Sequence, residues 1–311
     1  MQNNATVSLR ELMTRADLPE LLYRTMGILV ANGYQTATSN WRTYTNQGTV
    51  PDLREATRVI LTAHDGLEEV LEGEHYPEGK GFDLAPVQWR VNKFGKLLRV
   101  SWEALVNDDQ RLIRDLAIGY GQLAAESEIK FVSDLLDSVP VSEDEQGPLA
   151  GPLSEMLISR AVALFYERQD RYNRPIQIAP RYVVAAPRHA SALRAIFRPS
   201  TALDFNPIAG EIGEIVSEPY LKNRNAIYFI ADPAVSPGIQ VDFLSVPSDP
   251  RENYTNGPRI FRNPAGTITG LPGDVGTAGI GFSNDTIEYK IRHVFGGAVI
   301  DPIAIVRLEV G

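Results

Sequence analysis

The chain has 311 residues, 43% of them hydrophobic, which is about two domains' worth of sequence and enough to bury a sizeable core. It contains no cysteine, so disulfides, thiolate nucleophiles and thiolate metal sites are excluded. The formal net charge of −9 argues against a protein whose main work is binding nucleic acid, because phosphate binding needs a basic surface.

Membrane and export signals are missing from the pattern of hydropathy. No run of about 18 apolar residues occurs. Residues 1–4 lack the charged and apolar regions of a signal peptide. We therefore expect the protein to remain in the cytoplasm in which it is made.

The N-terminal part predicts short helices followed by a connecting arm. Apolar spacing favours helices at residues 9–13 and 18–31, the second with a proline in its first turn and ended by Asn32 and Gly33. Residues 35–57 are rich in Thr, Ser and Asn and poor in apolar side chains. We interpret residues 1–57 as an N-terminal arm, the last part of which has little core of its own.

Residues 58–100 predict an extended β-hairpin loop whose two arms differ in charge. A proline and two glycines at residues 76–81 let the chain reverse. The acidic residues before this turn include Asp65, Glu68, Glu69, Glu72 and Glu74. The basic residues from the turn onward are Lys80, Arg90, Lys93, Lys96 and Arg99. A two-stranded hairpin cannot bury a hydrophobic core by itself and is usually stabilised by a neighbouring element. These ten residues are therefore candidate contacts with another subunit. A change in apolar phase also predicts a bulge or strong twist near Gly95.

One long helix is predicted at residues 109–137, where apolar residues recur three and four positions apart. At about 1.5 Å per residue it would be about 43 Å long. Gly119 and Gly121 each weaken a helix by about 1 kcal/mol relative to alanine. Two interpretations stay open: close packing against another backbone, or a core helix that tolerates both glycines.

The remaining sequence predicts a second region of α+β character after an exposed boundary at residues 138–152. Helices are expected at 153–170 and 188–197. Short strands are expected at 181–187, 212–217, 226–231, 239–246, 287–294 and 302–309, in a mixed or antiparallel sheet. Residues 247–284 hold many prolines and glycines, which indicates a long surface loop.

Patterns that would indicate enzyme chemistry are scarce. The four histidines are scattered without metal-ligand spacing, and the glycine-rich residues 276–281 lack the Lys-Ser/Thr of a phosphate loop. Arg188, Arg194 and Arg198 are interpreted as ordinary helix-surface charge. We therefore predict no catalytic, cofactor-binding or metal-binding residues. An unrecognised α+β enzyme with a lid at 247–284 is a remote alternative.

Five segments, in this order along the chain, resemble those of the tailed-phage major capsid proteins of the Hong Kong 97-type fold, and within them the Mu-type and related prophage head subunits. They are residues 94–109, 182–187, 216–221, 228–233 and 287–301. The last segment is the most similar to the family pattern. The resemblance covers nearly the whole chain beyond residue 50.

The resemblance implies an α+β fold with defined parts: an N-terminal arm, an extended loop that reaches across a neighbour, and peripheral and axial domains. The peripheral domain would comprise residues 101–179 with the spine helix at 109–137, and residues 286–311 as its closing strands. Residues 180–285 would form the axial domain.

The implied function is that of a major head protein of a virion, made and assembled in the cytoplasm of a host bacterium. Copies would form the pentamers and hexamers of an icosahedral shell around double-stranded DNA, without a membrane. Implied partners are a separate scaffolding protein, a portal and decoration proteins. The alternative is an encapsulin, a cellular compartment of the same fold that holds cargo enzymes.

Some members of the family crosslink a loop lysine to an asparagine. Lys80 is the lysine placed for this at the hairpin tip, but no asparagine follows Asn284 in the closing strands. We therefore predict a non-covalent shell.

Overall fold

The computed structural model describes residues 18–37, 40–63, 81–101, 110–170, 172–198, 212–245, 257–262 and 286–311, with the single residues 69, 70, 72, 75, 76, 78 and 210. The described residues fall into two compact units. Unit 1 draws on the ranges Met1–Ser39, Asn92–Glu128 and Ser248–Val294. Unit 2 draws on Asn40–Val91, Ile129–Pro247 and Phe295–Gly311. Within this described part, no helix is both long and apolar enough to cross a membrane.

The elements up to the long helix are α1 (Leu18–Thr36), α2 (Trp41–Tyr44), β1 (Asn46–Val50), β2 (Ala56–Ala63), β3 (Phe82–Trp89), β4 (Val91–Ser101) and α3 (Gln110–Ser138). Those that follow are β5 (Glu143–Asp144), β6 (Gly147–Pro148), β7 (Ala150–Gly151), α4 (Glu155–Tyr166), β8 (Pro180–Ala185), α5 (Pro187–Ile196) and β9 (Glu214–Ser217). The remainder are β10 (Ala226–Ala231), β11 (Ile239–Leu244), β12 (Arg259–Arg262), β13 (Thr286–Val299), a 3-10 turn (Pro302–Ala304) and β14 (Ile305–Val310). The division into units falls within α3 after Glu128 and within β13 after Val294.

Unit 1 is built on a close crossing of α1 and the first part of α3. A Cβ placed on Gly121 would lie 2.1 Å from the Val30 carbonyl oxygen, and one on Gly33 would lie 2.2 Å from that of Ile118. The close-packing interpretation is therefore confirmed for Gly121. It is wrong for Gly119, where a Cβ would meet no described atom within 4 Å.

The strands of unit 1 cover its small core, which contains Met26, Val30, Leu98, Ala117, Ile260, Tyr289 and Ile291. Strand β12 pairs antiparallel with β13 and places Ile260 opposite Ile291. Strand β4 also pairs with β13. The expectation of a loop throughout 247–284 was wrong at β12, because buried Ile260 gives this short segment a core contact. Most of the remaining loop lies outside the described residues.

Unit 2 contains a sheet with strand order β7-β14-β10-β8-β9 and apolar side chains on both faces. Along β10 the side chains alternate: Ile227 and Phe229 pack in a core with α4 and α5, whereas Tyr228 and Ile230 pack in a second core. The second core also receives α2, the Ile129–Ser138 part of α3, and β11. Within it, β1 pairs parallel with β11, and β11 pairs antiparallel with the end of β13.

Residues 40–50 belong to this second core, so the expectation of little core in residues 35–57 was wrong there. Trp41 and Tyr44 lie three positions apart on the single turn of α2 and are fully buried. Strand β1 then joins β11. Two large aromatic side chains can bury as much surface as a longer aliphatic segment, which outweighs the polar composition around them.

The other predicted elements agree with the structure apart from their ends. The long helix differs from its predicted range by one residue at each end. Helix α1 continues to Thr36 instead of ending at Gly33, because this glycine serves the crossing with α3 and not a turn. Strand β13 is longer than predicted, and the final strand begins after a 3-10 turn. The helix expected at residues 9–13 lies outside the described residues.

Candidate assembly surface

The predicted hairpin is present as a two-stranded ribbon formed by β2 and β3. The strands are antiparallel, with Ala56 opposite Trp89 at the base and Ala63 opposite Phe82 at the far end. They form a sheet of their own. A two-stranded ribbon is only marginally stable by itself, so its two faces must find contacts elsewhere.

The outer face of the ribbon is apolar and exposed. Side chains alternate between faces along a strand, so Val59 and Leu61 share this face with Phe82 and Leu84. Leu61 and Leu84 lie directly opposite each other, with exposed fractions of 63% and 65%. A contiguous apolar patch of this kind on a thin element marks an interaction surface.

The inner face of the ribbon is polar at several points and contacts the rest of unit 2. At the base, the Trp89 Nε1–H donates to Asp242 Oδ2 at 2.8 Å. Beside it, the Arg58 guanidinium donates to Gln240 Oε1 at 3.2 Å. Toward the far end, the Tyr172 hydroxyl donates to the Asp83 carboxylate. The inner face of the ribbon is therefore tied to its own subunit by hydrogen bonds, whereas the outer face exposes apolar side chains.

The ten charged candidate residues are not all brought together. Asp65, Glu68, Glu74 and Lys80 lie outside the described residues. Glu69 and Glu72 are exposed and follow the end of β2, so they lie on neither strand of the ribbon.

We expected the basic residues to lie on the second strand of the hairpin, and this was wrong for Lys93, Lys96 and Arg99. Strand β3 ends at Trp89, and Arg90 separates it from β4, which pairs with β13. Lys93, Lys96 and Arg99 therefore lie on a strand with a different partner. The change in apolar phase coincides with this change of partner at Arg90. The bulge or strong twist near Gly95 stays a prediction. At Gly95 a Cβ would lie 2.5 Å from the Ile291 carbonyl oxygen, so the glycine permits close strand pairing.

The basic side chains of this part differ in their contacts. Arg99 forms an ion pair with Glu288 of the same chain, with 2.8 Å between Nε and Oε1. Arg90, Lys93 and Lys96 are exposed. Their role as contacts between subunits stays a prediction.

Sequence reasoning missed a buried polar cluster in unit 1. The Tyr34 hydroxyl donates to Glu128 Oε1 at 2.5 Å, and His293 Nε2 lies 2.6 Å from the same oxygen. Glu128 and His293 are 0% and 5% exposed, so a substrate in solution cannot reach them. One sequence feature could have indicated this cluster: His293 lies between Ile291 and Phe295 at alternate positions, which places it on the buried face of β13. Among the described residues, no group of three or more His, Cys, Asp or Glu side chains is arranged to hold a metal ion.

Displaced pKa values in unit 2 belong to groups that support the fold. Burial raises the pKa of the Glu218 carboxyl. Burial also lowers the pKa of the Arg168 guanidinium to about 10. The hydrogen bond from Arg160 lowers the pKa of Asp144. Arg168 donates to the carbonyl oxygens of Pro302, Ile303 and Ile305, and so ties the loop after α4 to the start of β14.

An α+β chain with a β-ribbon that exposes apolar side chains on its outer face indicates a class of protein: a structural protein that assembles with other chains. A comparison with protein families narrows this class. The family model described as phage capsid protein matches residues 85–308. The chain therefore belongs to the phage capsid protein family and is a major capsid protein, a structural component of the virion.

Solved structures share the fold at low sequence identity. The virus-like particle of Pyrococcus furiosus is similar with a TM-score of 0.56 and 12% identity, covering 92% of this chain and 99% of that one. The holo-SrpI encapsulin of Synechococcus elongatus gives 0.53 and 12%, covering 88% of each chain. The Gordonia phage Cozz structure gives 0.52 and 11%, covering 89% and 87%. The expected Hong Kong 97-type α+β capsid fold is confirmed. No curated protein matches the chain in a sequence search.

Proposed function

We propose that the chain forms pentamers and hexamers that close an icosahedral shell around double-stranded DNA, with the apolar face of the β2–β3 ribbon seated on a neighbouring copy. The observation that carries this proposal is the opposed, exposed pair Leu61 and Leu84. Since the inner face contacts its own subunit, the outer face is the one that we propose binds a second copy.

Each ribbon contact contributes a modest free energy, so a shell would be stabilised by many such contacts. Full burial of a Leu or Phe side chain contributes about 1.5–3 kcal/mol, but association costs translational and side-chain freedom. One ribbon contact is therefore modest. In a closed shell each copy both gives and receives such contacts, so the assembly is stabilised by their number.

Charge is proposed to set the register between copies. The exposed Lys93 and Lys96 would face acidic residues of a neighbour, among them Glu69 and Glu72 of its hairpin. Each exposed ion pair contributes only about 0–1 kcal/mol and weakens with salt.

Other partners follow from the capsid role. We propose a separate scaffolding protein, a portal and decoration proteins, with assembly in the cytoplasm of the host bacterium. The DNA would be enclosed without sequence-specific recognition, which fits a net charge of −9.

The proposal is tested with purified full-length chain, examined by negative-stain electron microscopy and sedimentation velocity. The wild-type chain should form shells. The double variant Leu61→Ser and Leu84→Ser should stay as small species, because it removes the apolar outer face without disturbing a core. Met156→Ser, at an exposed apolar position on α4, is the control and should assemble. Wild-type chain that stays monomeric under all conditions would contradict the proposal.

A second candidate function is an encapsulin-type compartment, because the fold is also similar to the SrpI encapsulin. Particles purified from the source cell distinguish the two. Nuclease-protected double-stranded DNA inside the shell supports the phage head, whereas a co-purifying cargo enzyme supports the compartment.

A further inference from the structure

The base of the β2–β3 ribbon is held by a polar network on β11. We infer that Asp242 and Gln240 are positioning residues that set the direction of the ribbon before a neighbouring copy binds. The inference rests on the proposed docking of the ribbon on a second copy. It adds which residues fix the direction of the ribbon relative to the rest of unit 2.

The network uses both oxygens of a buried carboxylate. Asp242 Oδ2 accepts from Trp89 Nε1 at 2.8 Å, and Asp242 Oδ1 accepts from Gln240 Nε2 at 2.6 Å. Gln240 Oε1 in turn accepts from Arg58 at 3.2 Å and from Asn46 Nδ2 at 2.7 Å. Asp242 and Gln240 are buried, so these hydrogen bonds are strong and costly to break. Both strands of the ribbon are thereby tied to β11.

The backbone of β1 leaves room for this network. A Cβ placed on Gly48 would lie 2.5 Å from Asp242 Oδ1 and 2.9 Å from Gln240 Nε2. Gly48 is opposite Asp242 in the parallel pairing of β1 with β11. Any larger side chain at this position would displace the carboxylate that holds Trp89.

A second contact lies toward the far end of the same strand. Tyr172, in the segment after α4, donates to Asp83. Asp83 and Trp89 are six positions apart on β3, which is about 20 Å at about 3.3 Å per residue. One contact would leave the ribbon free to swing about its base, but two contacts at this separation define a direction.

The two contacts also decide which face points outward. Arg58, Asp83 and Trp89 all lie on the inner face, and a shift in register by one residue would exchange the faces. A ribbon that is already aimed loses less conformational freedom when it docks, so binding is stronger for the same contact area. In a shell the gain recurs at every copy.

The experiment uses the unassembled full-length chain, first in amide hydrogen exchange. Trp89→Phe keeps an aromatic ring but removes the N–H, and Tyr172→Phe removes the hydroxyl. In the double variant we expect amides of β2 and β3 to exchange about tenfold faster than in wild type. Asp144→Asn is the matched control, because it weakens the ion pair with Arg160 elsewhere in unit 2 and leaves the ribbon contacts intact.

Assembly of the same proteins is then followed by light scattering. The double variant should need an about tenfold higher protein concentration to form shells, with a thermal unfolding midpoint no lower than that of Asp144→Asn. Unchanged exchange in the ribbon overturns the inference. Faster exchange with unchanged assembly also overturns it when the variant Leu61→Ser and Leu84→Ser fails to assemble. An equal assembly defect in Asp144→Asn also overturns it, because the effect would then be one of general stability.

The failure of the docking proposal has a different signature. The variant Leu61→Ser and Leu84→Ser should lose assembly while its ribbon amides exchange at the wild-type rate. If this variant assembles normally, ribbon docking is wrong, whereas the exchange data on Trp89→Phe and Tyr172→Phe still decide whether the network aims the ribbon.

Discussion

Glu128 and His293 lie side by side in unit 1, with Oε1 of the carboxylate 2.6 Å from Nε2 of the imidazole. Tyr34 donates to the same oxygen. The three residues come from the three separate ranges that make up unit 1. One buried carboxylate therefore links all the segments of this unit, a role usually left to apolar packing.

Replacement of Glu128 by alanine should destabilise unit 1 by about 2–5 kcal/mol, because buried His293 and partly buried Tyr34 lose the carboxylate that they contact. Glu128→Gln keeps an acceptor oxygen and should cost less. Both are measured by urea unfolding. Gln122→Ala, at an exposed position on the same helix, should change stability by no more than about 0.5 kcal/mol. Equal losses at both positions would show that the cluster contributes nothing specific.

Alanine substitution at the two glycines of α3 should change the stability of the protein in opposite directions. Gly121→Ala should destabilise by about 1–3 kcal/mol, because the new methyl group would overlap the Val30 carbonyl oxygen. Gly119→Ala meets no described atom and should stabilise the helix by up to about 1 kcal/mol. Thermal unfolding of the two variants compares substitutions of the same chemistry two positions apart. A stabilising Gly121→Ala would contradict the close crossing.

Charge reversal of Lys93 and Lys96 to glutamate should lower the yield of shells at low salt, because it would turn the proposed attraction between copies into repulsion. The difference from wild type should shrink as salt screens the charges. Shell yield is measured by sedimentation over a series of salt concentrations. Reversal of the exposed Arg54 and Lys222, with the same change in net charge, is the control. Normal assembly of the reversed protein at every salt concentration would exclude the electrostatic part of the proposal.

Glu218 should make unit 2 sensitive to pH. Burial raises its folded pKa above the ordinary value of 4.5, so the folded state prefers the protonated carboxyl. Unit 2 is therefore most stable with respect to this group below its unfolded pKa, where the carboxyl is protonated. This contribution to stability is lost as pH rises through the folded pKa, because the buried carboxyl then ionises. Glu218→Gln should therefore unfold at a higher temperature than wild type near pH 7, and the two midpoints should converge near about pH 4. Equal unfolding midpoints of the two proteins near pH 7 would contradict this prediction.

The shell should be held together without covalent bonds between copies. Particles boiled in detergent should give a single band at the mass of one chain on a denaturing gel, because the closing strands at residues 286–311 contain no asparagine to accept a crosslink from Lys80. A ladder of multimers would refute this prediction.

Local patterns in the sequence predicted some elements well. Apolar residues recur three and four positions apart along the whole of α3. Because this pattern is local and uninterrupted, both ends of the helix were predicted to within one residue. The cost of a glycine inside a helix pointed to the crossing at Gly121. Strand β10 follows from a short apolar run, which is buried on both faces.

Non-local contacts explain what the sequence did not reveal. The end of the ribbon at Arg90 depends on β4 finding β13, and nothing near residue 90 encodes that partner. The acceptors for Trp89 and Arg58 lie on β11, more than a hundred positions away. The Glu128 cluster combines three distant segments, so only the place of His293 on a buried strand face hinted at it.

The pairing of β1 with β11 has a consequence for how the protein is made. Asn46 and Gln240 are neighbours in the sheet but 194 positions apart in the chain. At about 5–20 residues per second, β1 waits on the order of 10–40 s for its partner strand to be synthesised. Until then the side chains of Trp41 and Tyr44 have no complete core. The ribbon likewise has no Asp242 to hold it, so a growing chain cannot offer an aimed ribbon to finished copies nearby.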